Sequence, residues 1–139
     1  MHFETKVEIA APLDRVWGIL ADIDRWPEMS PSITRVERID GAPLAAGAQV
    51  RIKQPGMAAM TWRVTEFEPG RSFAWQAVNP GILTVGTHEL RDTGTGTEVT
   101  LGITHSGLLA PIIGRLTGSR TRRYVGMEAA GLKHLSEDF

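Results

Sequence analysis

Apolar and polar residues alternate along most of the chain in short runs, and turns that contain glycine separate the runs. The first run, residues 3–9, has Phe3, Thr5, Val7 and Ile9 at every second position and charged residues between them, broadly as expected for a strand with one buried face. Six further runs of strand length follow, at 33–40, 48–53, 60–68, 72–78, 83–92 and 97–105. The pattern predicts a sheet of about seven antiparallel strands, six of them joined in sequence by tight turns.

Helical spacing precedes the second of these strands. Residues 11–22 carry apolar side chains at i, i+3, i+4 and i+7, and Pro12 opens this helix. Residues 25–29 predict a second, very short helix with Asp24 as its N-cap. We expect the ring of Trp26 to fill the notch between the two helices.

A long helix is predicted after the last strand. Residues 108–138 lose the strand alternation, and their apolar positions follow helical spacing from Ile113 to Leu135. A helix of about 25 residues spans about 40 Å, enough to cross a whole domain. Each glycine in it costs about 1 kcal/mol relative to Ala. We therefore expect a kink, a close backbone contact or open volume at these glycines, and a bend or break near Gly118.

Length, net charge and the absence of cysteine exclude several classes of protein. A length of 139 residues fits one domain, residues 1–139, and a net charge of -1 gives no general attraction to nucleic acid or anionic membranes. Arg115, Arg120, Arg122 and Arg123 do not share one helix face, which favours a solvated surface over a nucleic-acid site. The absence of cysteine excludes disulfides, thiolate metal ligands and cysteine nucleophiles.

The expected location follows from the start of the chain and from its apolar runs. The N-terminus lacks the pattern of a signal peptide, and no apolar run approaches the roughly 18 residues of a membrane helix. We therefore expect a cytoplasmic protein without membrane insertion, and leave a homodimer open.

Together these elements predict an α+β fold in which a curved antiparallel sheet wraps around the C-terminal helix. One helix cannot by itself fill the concave side of such a sheet. Unless the side chains between sheet and helix are large, open volume remains there. Two interpretations stay open for the large side chains on the central strands and their connecting turn: they form a solid core, or they line a pocket for an apolar ligand. These side chains are Met57, Met60, Trp62, Phe73 and Trp75.

The chain also resembles a known superfamily. The stretch VEIAAPLDRVWGILADIDRWPEMSPSITRVERI, with the later GAQVRIK, WRVTEFEPGRSFAW and GTGTEVTLGI, is similar to the START-like (SRPBCC-type) superfamily, in its polyketide cyclase/dehydrase branch. The resemblance covers nearly the whole chain, although none of its motifs is a catalytic signature. It implies the helix-grip fold, with the order β-α-α-β6-α and a deep hydrophobic cavity between sheet and long helix. It also places Trp26 and Pro27 in a helical V beneath that helix.

Candidate chemistry is sparse. His2, His88, His105 and His134 lack metal-ligand spacing, and no phosphate-binding or serine-nucleophile motif is present, so we expect no metal and no cofactor. His88 shares the strand parity of Leu90 and should point inward. It could orient a ligand carbonyl or act as a general base, or simply be a core histidine bonded to a neighbour. His105 lies either at the cavity mouth or in solvent.

Two residues of the long helix complete the candidate site. Arg120 and Tyr124 are one turn apart and could hold a polar ligand head, although Tyr124 could equally be ordinary packing. The residues expected to contact a ligand are Trp26, Met57, Met60, Trp62, Phe73, Trp75, His88, Leu101, Arg120, Tyr124 and Met127.

Three functions remain open at this point. We favour binding of a small hydrophobic or aromatic metabolite, such as a lipid, a quinone or a polyketide-like molecule, because few ionisable groups point inward. The alternative is a cyclase, aromatase or dehydratase that uses His88 with Tyr124 or Arg120 for proton transfer. A third hypothesis is a protein-interaction module like the chaperone-coactivator branch of the superfamily, which would have a filled interior and an exposed apolar surface.

Overall fold

The computed structural model describes residues 1–138, which form a seven-stranded antiparallel sheet and a long C-terminal helix. The elements in chain order are β1 (His2–Ile9), α1 (Leu13–Ala21), a 3-10 turn (Ile23–Arg25), α2 (Trp26–Met29), β2 (Arg35–Arg38), β3 (Gln49–Lys53), β4 (Met60–Glu68), β5 (Ser72–Asn79), β6 (Ile82–Asp92), β7 (Thr97–Ser106) and α3 (Ala110–Glu137).

Strands β2 to β7 form the expected meander, and β1 pairs with β7 at the edge of the sheet, giving the order β1-β7-β6-β5-β4-β3-β2. The register between β4 and β5 shifts between Val64 and Glu66, an irregularity of the kind that bends a strand. The α+β helix-grip fold is confirmed. Strand β2, Arg35–Arg38, is shorter than the predicted run of 33–40, although the N–H groups of Thr34 and Ile39 still donate to β3.

Helix α3 packs against β1, β7, α1 and α2, with 28 residues in one uninterrupted helix. The break expected near Gly118 is therefore wrong. Two glycines of this helix instead permit close contacts: a Cβ at Gly114 would overlap the sulfur of Met1, and a Cβ at Gly131 would overlap the carbonyl oxygen of Met29. These glycines let the residue before β1 and the end of α2 approach the backbone of α3 closely; a bend near Gly118 stays a prediction.

The segment between α1 and β2 differs from the prediction at Asp24. Asp24 lies inside the 3-10 turn and makes no side-chain cap; its carboxylate accepts hydrogen bonds from Arg38 at 3.0 and 3.2 Å. Trp26 behaves as expected. Its indole N–H donates to the carbonyl of Leu20 at 3.0 Å, so the buried ring bridges α1 and α2.

Among residues 1–138, no helix is both long enough and apolar enough to span a membrane.

Candidate functional site

A cavity of about 280 Å³ lies between α3 and the inner face of the sheet. Buried residues such as Trp62, Trp75 and Val125 line its inner end, whereas exposed or half-buried residues such as Asn79 and Ile113 line its mouth. Ligand pockets commonly range from about 300 to 1,000 Å³. This cavity is therefore close to the lower limit, a size that suits a compact ligand of one or a few rings.

The structure brings most of the predicted site residues together around this cavity. The residues that line it are Trp26, Met57, Met60, Trp62, Trp75, His88, Leu101, Arg120 and Tyr124. Phe73 and Met127 do not line it. Phe73 is buried behind the ring of His88, and the half-buried Met127 precedes the cavity-lining Glu128 by one position, which turns it about 100° around the helix. That the lining residues contact a ligand stays a prediction.

Three tryptophans form one continuous aromatic wall. The ring centroid of Trp75 lies 5.3 Å from that of Trp26 and 5.6 Å from that of Trp62. Gly86 on β6 makes room for this packing, since a Cβ there would lie 2.8 Å from the indole nitrogen of Trp75. Flat, broad indole surfaces of this kind favour planar apolar ligands.

His88 is held in one chemical form by its surroundings. Its ring stacks on Phe73 at 4.0 Å, and its Nδ1 lies 3.2 Å from the Phe73 carbonyl oxygen, which can only accept a hydrogen bond. Burial lowers the pKa of His88 to about 4, so the ring is neutral at pH 7. Nδ1 therefore carries the proton, and Nε2 presents a lone pair.

The tautomer of His88 limits what the residue can do. Nε2 has no hydrogen-bond partner among residues 1–138 and is not enclosed by protein, and the residue lines the cavity. A neutral Nε2 can accept a proton or a hydrogen bond from a ligand hydroxyl. It cannot donate to a ligand carbonyl, the orienting role that the sequence suggested.

Arg120 and Tyr124 already have partners within the protein. The Tyr124 hydroxyl donates to the Pro55 carbonyl at 2.6 Å, and Arg120 Nη1 donates to the Gly56 carbonyl at 3.2 Å. Both contacts fix the β3–β4 loop against α3. Positioning this loop, which carries Met57 into the cavity lining, is therefore the first role that the geometry gives them.

Several lining residues are absent from the predicted set, and Glu128 is the ionisable one among them that the sequence did not single out. It lines the cavity one turn beyond Tyr124, and it makes no hydrogen bond or ion pair with the described part of the chain. Burial raises the pKa of this carboxyl group to about 7. The spacing of four between Arg120, Tyr124 and Glu128 was the available signal, since it puts all three on one helix face.

His105 lines the cavity at its mouth and is half-buried. Of the two predicted positions, the cavity mouth is therefore the one observed, with part of the side chain exposed to solvent. Its Nδ1 is 3.0 Å from the hydroxyl of Thr84, whereas its buried Nε2 has no partner among residues 1–138. Burial, followed by the nearby N-terminal ammonium group, lowers the pKa of His105. The ring is therefore a neutral polar group at the cavity mouth at pH 7.

Within residues 1–138, no three histidine or acidic side chains cluster in a way that could hold a metal ion.

Comparison with solved structures places the same fold in several proteins of low sequence identity. ZhuI aromatase/cyclase from Streptomyces sp. R1128 is 20% identical with a TM-score of 0.78, and the match covers 99% of this chain and 93% of that one. XoxI from Bacillus cereus is 16% identical with a TM-score of 0.75, covering 99% and 96%.

A larger neighbour contains the fold as one part. The di-domain ARO/CYC StfQ of the steffimycin biosynthetic pathway is 17% identical with a TM-score of 0.75; the match covers 99% of this chain but 50% of StfQ, so this chain spans half of that protein. These similarities establish the fold.

The sequence has no significant match among curated proteins. The family model described as "Polyketide cyclase / dehydrase and lipid transport", however, matches residues 1–137. The chain therefore belongs to the polyketide cyclase/dehydrase family, within the START-like superfamily.

Proposed function

We propose that this protein binds a compact hydrophobic molecule with an aromatic ring system and at least one hydroxyl or carbonyl group. The observation that carries the proposal is an aromatic cavity of about 280 Å³ that also exposes two unpaired polar groups, His88 and Glu128. His88 Nε2 accepts from a ligand hydroxyl. Protonated Glu128 donates to a ligand carbonyl.

Burial of the ligand supplies most of the affinity. At about 0.8 kcal/mol for each buried methylene, ten apolar carbons contribute about 8 kcal/mol before the cost of ordering the ligand. The two polar groups mainly select the orientation. Polyketide-like and quinone-like molecules combine flat rings with oxygen substituents, and so match this lining better than a saturated lipid chain does.

A variant that fills the mouth tests the binding directly. Thr117 lines the mouth from α3, whereas Ala130 is exposed on the same helix. Thr117→Phe is expected to weaken binding of the fluorescent probe 1-anilinonaphthalene-8-sulfonate about tenfold or more, because the larger side chain occupies ligand volume. The measurement is a fluorescence titration. Ala130→Phe should bind as the wild type does, and equal affinity for all three proteins would place the probe outside the cavity.

The natural ligand can be identified without any assumption about its structure. Native mass spectrometry of freshly purified protein, followed by denaturation, would detect a co-purified molecule and give its mass. Recovery of one aromatic compound from the wild type but not from Thr117→Phe would support the proposal. Recovery of the same compound from both proteins would contradict it.

A second candidate function, ring closure of a poly-β-keto chain, is favoured by the pair of ionisable residues. Burial lowers the pKa of His88 and raises that of Glu128. At pH 7 His88 is therefore a neutral base and Glu128 a partly protonated acid. His88 Nε2 takes a proton from a carbon between two carbonyls. That carbon then bonds to a third carbonyl carbon, whose oxygen receives the proton of Glu128.

Turnover of a poly-β-keto analogue separates this candidate from binding alone. His88→Phe keeps a ring against Phe73 but removes the base, and Glu128→Gln removes the acid. Under the enzymatic function each variant should lower kcat about a hundredfold while KM changes little. Turnover that survives His88→Phe would remove this residue from the chemistry.

The third hypothesis, a protein-interaction module, requires a filled interior. The open cavity argues against it.

A further inference from the structure

The molecule exposes an apolar ridge beside the cavity mouth, at the junction of β7 and α3. We call it the apolar rim: Leu108, Leu109, Ile112 and Leu116 are 92%, 41%, 58% and 76% exposed. Scattered apolar residues on a surface need no explanation, but four within nine positions form a patch. The rim is also fixed in place, since the Leu109 N–H donates to the Gly81 carbonyl in the β5–β6 turn at 2.9 Å.

The same stretch of α3 therefore has two apolar faces. Ile112 and Leu116, one turn apart, face outward, while Ile113 and Thr117 line the cavity mouth from the same two turns. A ligand that leaves or enters the cavity passes close to the rim. Whatever covers the rim is consequently positioned at the opening.

Charge at this end of the molecule differs from that of the whole chain. The three stretches that supply most of the cavity lining, residues 53–65, 77–88 and 99–127, contain no Asp or Glu, although the chain has 16 acidic residues in total; the next carboxylate on α3, Glu128, lines the cavity. The three stretches carry six Lys and Arg; Arg115 is exposed next to Leu116, and Arg122 and Arg123 are exposed about two turns further along α3, with their guanidinium groups over the rings of Phe3 and Tyr124. The start of β1 adjoins this end through its pairing with β7, and its Glu4 is paired with His2.

We propose that the apolar rim docks on the surface of an anionic lipid bilayer and holds the cavity mouth against it. Exposed leucine and isoleucine side chains beside arginines have the composition of interfacial membrane-binding helices. Each arginine near an anionic bilayer adds electrostatic attraction, and because residues 99–127 contain no carboxylate, this part of the chain adds no opposing repulsion. The proposal concerns the outer surface and does not depend on the identity of the cavity ligand.

Two other occupants fit the rim less well. A second copy docked about a two-fold axis would place the arginines of one rim against those of the other, and like charges repel. A protein partner would need a groove that accepts a convex ridge and carries acidic residues. A fluid bilayer needs no such complementary shape, so the observations favour it.

Binding to vesicles tests the proposal. We expect the wild type to sediment with phosphatidylcholine vesicles in which phosphatidylglycerol replaces a third of the lipid, and to bind pure phosphatidylcholine much more weakly. Leu116→Glu should weaken binding to the anionic vesicles about tenfold or more, because it removes buried apolar surface and adds repulsion. Raised salt should weaken binding of the wild type.

Ile39 offers a matched control. It is 50% exposed and follows β2 at the end of the sheet opposite the mouth, so Ile39→Glu makes the same change in charge away from the rim. Ile39→Glu should bind the anionic vesicles as the wild type does. Equal losses in both variants, or no binding of the wild type to anionic vesicles, would overturn the proposal.

Two further measurements keep the outcome unambiguous. Because both substituted residues are exposed, neither variant should shift the urea midpoint of unfolding, and both should retain affinity for the fluorescent probe in the cavity. Sedimentation velocity without lipid tests the second copy. A concentration-dependent dimer that Leu116→Glu abolishes would assign the rim to self-association and overturn the bilayer proposal.

Discussion

Replacing Gly131 by Ala is expected to lower the free energy of unfolding by about 3 kcal/mol, the upper end of the usual cost of overpacking a core. A Cβ at this position would overlap the carbonyl oxygen of Met29, the last residue of α2. Backbone cannot rotate away as a flexible side chain does, so α2 must move away from α3. Urea unfolding of wild type and variant at pH 7 measures the change.

Gly126 on the same helix is the control for this substitution. A Cβ there would meet no atom within 4 Å, and alanine favours a helix by about 1 kcal/mol over glycine. Gly126→Ala should therefore raise the free energy of unfolding by about 1 kcal/mol. Stabilisation of Gly131→Ala to the same extent would contradict the close contact between α2 and α3.

The effect at Gly131 should extend to the cavity. α2 begins with Trp26, whose ring contacts Trp75 in the aromatic wall. Movement of α2 away from α3 would therefore displace part of that wall. We expect Gly131→Ala to weaken probe binding as well, whereas Gly126→Ala should leave it unchanged.

The strands and the long helix were predictable because one physical rule generates both. A face buried against one neighbour produces a period of two in a strand and about 3.6 in a helix, and both periods are visible in one sequence. Strand parity also placed His88 correctly inside the sheet. The turns were predictable because their dihedral angles favour glycine, as at Gly70 and Gly81, where φ is +80° and +78°.

Features that depend on contacts between distant segments were not predictable. Asp24 has the residue type and position of an N-cap, but Arg38, which lies close only in the folded chain, binds its carboxylate instead. The glycines of α3 looked like breaks because their partners, Met1 and Met29, lie more than 100 positions away. Arg120 and Tyr124 looked available for a ligand because nothing local reveals the carbonyls of Pro55 and Gly56.

Glu128 illustrates a different limitation. A glutamate on a long helix is usually solvated, so residue type argued against an inward position. Only the sheet opposite α3 determines which stripe of the helix faces the cavity. The ionisable groups of the cavity were consequently underestimated, which is why the sequence alone favoured binding over chemistry more strongly than the structure does.

Replacing Glu128 by Gln is expected to make the protein more stable at pH 8, by about 2 kcal/mol, with little difference at pH 4. Burial raises the pKa of this carboxyl from 4.5 to about 7, so the folded chain holds its proton more tightly than the unfolded chain does. The contribution of this group to stability is therefore complete below about pH 4.5 and is lost as the pH rises through about 7.

The magnitude follows from the size of the pKa shift. A shift from 4.5 to about 7 corresponds to about 3 kcal/mol, and we reduce this value because the side chain is only half-buried. Glutamine has nearly the same shape but does not ionise. The variant should therefore keep the stability that the wild type loses when Glu128 ionises in the folded protein. His88 also titrates in the folded chain, with its pKa lowered to about 4, but it is present in both proteins and cancels in the difference.

Urea unfolding of both proteins from pH 4 to pH 8 measures this difference. The excess stability of Glu128→Gln should grow between about pH 4.5 and 7 and level off above that range, because both states of the wild type are then ionised. Glu66→Gln, at an exposed position on β4, should stay within about 0.5 kcal/mol of the wild type throughout. A constant difference across this range would mean that Glu128 ionises in the folded protein as readily as in the unfolded chain, and would remove the acid from the proposed ring closure.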